Sequence, residues 1–176
     1  ELQNKNTWDC QKYNIINRFK KEYIETWTHP ATARVLANNP NIMIFDDHEI
    51  VNSWGDEKAH YTEGTMEHFI GECAREVIDL YQVQLHHDIK KPEPYYYYSQ
   101  DFDDTKLIFL DIRGCKTFYR DDSNTYLGKN QWHWLERTIK EATSKHLILI
   151  SPIPFIFMST FITETSSCKF GDLKGC

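Results

Sequence analysis

At 176 residues, with 40% hydrophobic and 14% aromatic side chains, the chain can bury one substantial core, is too short to expect two, and is not of disordered composition. A formal net charge of -6 argues against recognition of a nucleic-acid backbone, which needs a clustered excess of Lys and Arg. It leaves room for a small anionic ligand whose charge a bound cation offsets.

From Gln11 to Thr28, Ile15, Ile16, Phe19, Tyr23, Ile24 and Trp27 recur at helical spacing among Lys and Glu residues, so an amphipathic helix is predicted, stopped near His29-Pro30. The N-terminal "ELQNKNTWDCQKY" carries no initiator Met and no apolar signal segment, and reads as the start of a piece of something larger. A short second helix, Ala31 to Ala37, leads through "NNPN" to a first strand, Ile42 to Phe45. The longest helical pattern, Thr65 to Ile89, places Phe69, Ile70, Cys73, Val77, Leu80, Tyr81 and Leu85 on one side and is stopped by Pro92 and Pro94. "YYYYSQDF" has the propensity of an edge or partner strand, and "KLIFLDIR" of a buried one. A loop from Gly114 to Asn124 precedes the helix "LGKNQWHWLERTIKEAT", with Trp132, Leu135 and Ile139, and "HLILISPIPF" is the last buried strand. The apolar run that begins there is too short, and too broken by Pro152 and Pro154, to span a membrane. Three apolar strands separated by helices predict a layered α/β fold with a buried sheet, in which ligands gather where strand ends release loops.

Two such ends are charged. The first strand runs directly into Asp46-Asp47-His48-Glu49. Carboxylate oxygens with an imidazole suit Zn, Mn or Fe, and carboxylates alone suit Ca or Mg. Continued extended backbone would send Asp46 and His48 to one side and Asp47 to the other, so a tight turn is needed before they can share a site. The competing reading makes Asp46 and Asp47 the cap of a helix. Asn52 is a turn residue or a ligand. The second end carries Asp111 and Arg113, either a structural ion pair or an arginine that faces phosphate. His133, between two tryptophans, reads as packing or surface. His86 to Asp88 reads as the surface end of a helix, with a helical His-Asp metal site as its rival. Of the five cysteines, Cys10, Cys73, Cys115, Cys168 and Cys176, none forms a Cys-x-x-Cys pair, which leaves the redox compartment open; Cys168 and Cys176 can pair with each other.

Taken together, "IMIFDDHEIVNSWGD", "LIFLDIRGCKTF", "LGKNQWHWLE" and "LILISPIPF" resemble, in order and spacing, the PhoD-like (alkaline phosphatase D) metallophosphatases of the calcineurin-like superfamily. The resemblance runs from about Tyr23 to Phe155. It implies part of a layered α/β/β/α sandwich, one domain over residues 1–176, and the central portion of a longer phosphatase domain. It also implies hydrolysis of a small phosphorylated substrate by metal-activated water, with iron and calcium, or Mn or Zn, as the metals. By position, Asp47 resembles a metal ligand and Asp46 a supporting residue that can also reach a metal. His48 resembles the group that faces the leaving group, Glu49 a residue that orients the loop, and Arg113 and Asn52 substrate-side residues.

The family's N-terminal Gly-Asp segment and its C-terminal Gly-Asp-Val-His strand have no match here: "FGDLKGC" lacks the following His, and Ser151-Pro152 stands where relatives often place a His before proline. A phosphoesterase is therefore expected, without appreciable activity if the native chain begins at Glu1 and ends at Cys176, and a non-catalytic relic or binding module on the same scaffold is the alternative.

Overall fold

The structure, a computed structural model, describes residues 5–83, 96–116 and 126–154. Among these the chain is α/β, with four α-helices and a three-stranded mixed sheet. It divides into two compact units, one drawing on residues 5–43 and 59–83, the other on 44–58, 96–116 and 126–154.

The first unit is helical. Helix α1 spans Lys5–Thr28, α2 spans Pro30–Asn38 and α3 spans Met66–Tyr81. Helix α1 begins before Gln11 because Trp8, two turns ahead of Ile15, adds to the same apolar side; it is buried and lies 5.9 Å from the Phe69 ring. Its expected end holds, since Pro30 opens α2 at a position where a missing N–H costs nothing. Thr65 caps α3, its hydroxyl accepting from the His68 N–H at 3.2 Å. Cys73, Ala74, Val77 and Ile78 form the buried face of α3, whereas Leu80, expected there, is exposed. The period of that helix is the predicted one and its phase differs by about one residue: the small Ala74 belongs inside. Burial pushes the Cys73 thiol pKa up, so this cysteine stays protonated. Tyr81 stacks on Tyr23 with centroids 4.7 Å apart, and Trp27 meets both edge-on. The α-helix gives way at Gln82, whose amide donates to the Tyr23 hydroxyl at 3.0 Å. Leu85, His86 to Asp88, Pro92 and Pro94 lie outside the described residues.

The second unit holds the sheet. Strand β1, Tyr98–Phe102, and β2, Thr105–Phe109, form an antiparallel hairpin whose two-residue turn, Asp103-Asp104, puts Asp103 in the left-handed region at φ 52°. Helix α4, Gly128–Lys140, separates β2 from β3, His146–Ile150, which pairs parallel to β2 with Phe109 opposite Ile150. "YYYYSQDF" thus supplies the edge or partner strand expected of it, at the edge of the sheet among the described residues. Beneath the sheet, Ile108, Leu110, Ile112, Leu127 and Leu135 form the core, with Trp134 and Ile153 against it.

Three expectations fail here. Ile42 to Phe45 is not a strand; Phe45 is buried edge-on against Tyr96, and with no ladder partner among the described residues the apolar run stays irregular whatever its propensity. Strand β3 is not buried: Leu147, Ile148 and Leu149 are 44%, 48% and 40% exposed. On α4 the buried stripe is Leu127, Gln131 and Leu135, while Trp132 and Ile139 face solvent. A glutamine in that stripe disguises its phase. The second half of the expected 114–124 loop, and "FGDLKGC", fall outside the described residues.

Candidate active site wall

The Asp46–Glu49 stretch makes the tight turn that its side chains require. The amides of Ile50 and Val51 both donate to the Asp47 carbonyl, at 2.9 and 2.8 Å, and the Glu49 carboxylate accepts from the Asp46 N–H at 2.9 Å. No helix follows, so the capping alternative does not describe this segment. Asp47 instead reaches across the loop, where its Oδ2 accepts from the Ser53 N–H at 2.5 Å. That bond holds Ser53 at φ 60°, a left-handed conformation that a non-glycine residue keeps only when its surroundings impose it.

The turn splits neighbours by exposure. The Asp47 side chain is 4% exposed and that of His48 is 74% exposed. The His48 Nε2 lies 2.8 Å from the Asn52 Oδ1, one helical turn's spacing along the chain.

Arg113 joins this loop to the end of β2. Its guanidinium is buried, with Nε donating to Asp46 Oδ1 at 2.6 Å, Nη1 to the Trp54 carbonyl at 2.9 Å, and Nη2 3.7 Å from Asp47 Oδ1. Arg113 pairs with Asp46, and Asp111 accepts from backbone amides. One oxygen of Asp111 accepts from the N–H groups of Arg113 and Gly114 at 3.0 and 2.6 Å, the other from the Tyr96 N–H at 3.0 Å. A carboxylate holding three amides fixes a turn more firmly than any neutral side chain.

Two further residues escaped the sequence reading. Lys116 is buried, its ammonium 2.5 Å from Asp56 and 5.3 Å from the centre of the Tyr126 ring. Gln131, fully buried on α4, bonds both backbone groups of Asp111: Nε2 donates to its carbonyl at 2.6 Å and Oε1 accepts from its N–H at 2.9 Å. The only sequence signal for Gln131 is a polar residue four positions from each of two apolar ones, Leu127 and Leu135. Gly128 lets α4 start close to this turn: at φ 65°, a Cβ there would come within 3.2 Å of the Cys115 carbonyl.

Among the described residues, no three His, Cys, Asp or Glu side chains gather so as to hold a metal ion. Asp46 is engaged by Arg113, Asp47 by Ser53, and Asp111 by three amides. By themselves these residues are too few for the metal centre that the resemblance implies, in which Asp46 and Asp47 could supply only part of the ligand set. What they form is a hydrogen-bonded wall that presents one imidazole.

A family model described as PhoD-like phosphatase matches residues 3–171. Neither the curated proteins nor the solved structures yield a match.

Proposed function

Because the chain belongs to the PhoD-like phosphatase family, we propose that it hydrolyses phosphate esters as the central portion of such a domain, with residues 1–176 folding as part of one domain. Small phosphorylated molecules are the substrate class. No helix among the described residues is long and apolar enough to cross a membrane.

The observation that carries the reading is the contrast at residues 47 and 48. A buried carboxylate clamps the loop and the next side chain stands in solvent, its ring held at one nitrogen by Asn52. His48 is the group that donates a hydrogen bond or proton to the departing alkoxide. Asn52 holds the ring and borders the substrate, while Arg113 fixes Asp46 and Asp47 behind it. The metal dependence expected of the family, with iron and calcium, Mn or Zn, would draw on Asp46 and Asp47 together with ligands beyond this wall. Such ions supply charge stabilisation and an activated water.

The test is hydrolysis of p-nitrophenyl phosphate by the native protein supplied with Mn, Zn, or Fe with Ca, beside His48→Ala. The expected result is a loss of about 100-fold or more in kcat, the usual contribution of a general acid. Equal, near-background rates in both proteins would sink the catalytic reading and leave a binding module on a phosphatase scaffold.

A further inference from the structure

We propose that Gln131 is a positioning residue for the His48 loop, acting through Asp111 and Arg113 from the opposite side of the wall. The inference rests on the phosphoesterase reading for its kinetic consequence and on hydrogen bonds alone for its structural one.

A primary carboxamide carries a donor and an acceptor on one planar group, and so can pair with a single residue's C=O and N–H as a neighbouring strand would. Gln131 does this to Asp111, at 2.6 and 2.9 Å, at the point where β2 has left its ladder with β1. The backbone of Asp111 is thereby fixed from α4. Its carboxylate then sets the amides of Arg113 and Gly114, which aims the Arg113 guanidinium at Asp46 and the Trp54 carbonyl. Those two contacts lie near either end of the loop that carries His48 and Asn52. Each link is a short hydrogen bond, and Gln131, Asp111 and Arg113 are each no more than 3% exposed, so water cannot readily replace a lost partner.

Nothing in the buried stripe of α4 requires a polar residue for packing. Leu127 and Leu135, one turn to either side of Gln131, belong to the apolar core. An amide at this position is explained by what it holds.

The experiment compares Gln131→Met, which keeps length and volume and loses the two hydrogen bonds to Asp111 along with the longer one to the Leu127 carbonyl, with Leu135→Ala, a truncation on the same helix face that removes none of them. Both variants of the native protein are assayed with p-nitrophenyl phosphate, with rates corrected for the folded fraction. Hydrogen exchange is followed over residues 46–54. Gln131→Met is expected to lower kcat about tenfold with KM within about twofold of wild type, the pattern of misplaced chemistry rather than lost binding. It is also expected to speed exchange at Ser53 and Trp54, whereas Leu135→Ala does neither. Equal loop exchange in the two variants would overturn the inference. So would faster loop exchange with an unchanged kcat in an active protein. Selective loosening of the loop by Gln131→Met in a protein that hydrolyses no ester would uphold the inference and remove the phosphoesterase reading instead.

Discussion

Two apolar runs in this chain end in aspartate, "IMIFDD" and "LIFLD", and they put nearly identical local sequence to opposite uses. The turn after β2 folds every polar group inward: Asp111 is spent on three backbone amides, Gln131 on Asp111, and Lys116 on Asp56. The Asp46–Trp54 loop is held from behind and sends His48 outward. A short acidic cluster after an apolar run is thus two things at once in α/β chemistry, a fastener and a display. Which one it becomes depends on how many backbone donors converge on it.

The comparison is broken most severely at the residue shared by both sides. Arg113→Met leaves Asp46 and the buried Asp47 without their cation, and removing one partner from a buried pair costs about 3–5 kcal/mol. A loss of unfolding free energy of that size, read from equilibrium urea unfolding, with Arg113→Lys recovering only part of it, is the expected outcome. Next comes Asp111→Asn. An amide nitrogen would face an N–H where an oxygen stood, and the loss of charge-assisted hydrogen bonds should cost about 2–3 kcal/mol, read from the same denaturation curves. Asp47→Asn touches one such bond rather than three, and about 1–2 kcal/mol is expected, accompanied by faster amide exchange at Ser53. His48→Ala closes the series. An exposed side chain away from packing changes stability by about 0.5 kcal/mol or less, so this variant should unfold with wild type while losing turnover. If His48→Ala proved as destabilising as Arg113→Met, the division into holding and displaying residues would collapse.

How much of this was legible beforehand follows from the range of each interaction. The Asp46–Glu49 cluster stood out because four ionisable residues after an apolar run are visible in one glance along the chain. The need for a tight turn followed from strand geometry, and the turn is there. The partner of Arg113 was not legible, since Asp46 lies 67 residues away and Asp111, two residues away, was the obvious candidate. Gln131 was hidden by the opposite problem: "KNQWHW" advertises its tryptophans, and apolar periodicity cannot register a buried amide. Helices α3 and α4 were placed by period and mis-phased by a residue, because Ala74 and Gln131 look exposed and Leu80 and Trp132 look buried. The strand expected at Ile42 to Phe45 has no ladder partner among the described residues, and no local pattern contains that information. The α/β class itself survived all of these errors, since it depends only on strands and helices alternating.

Strand β3 has a practical consequence. "HLILI" holds no proline and no acidic or lysine gatekeeper, is exposed on both faces, and forms an outer strand of the sheet among the described residues. An apolar edge of this kind templates strand addition between molecules. Self-association through that edge, more than loss of folding, would then limit how concentrated a solution of this chain can be made. A single lysine placed at Ile148 would be the economical way to keep it dispersed.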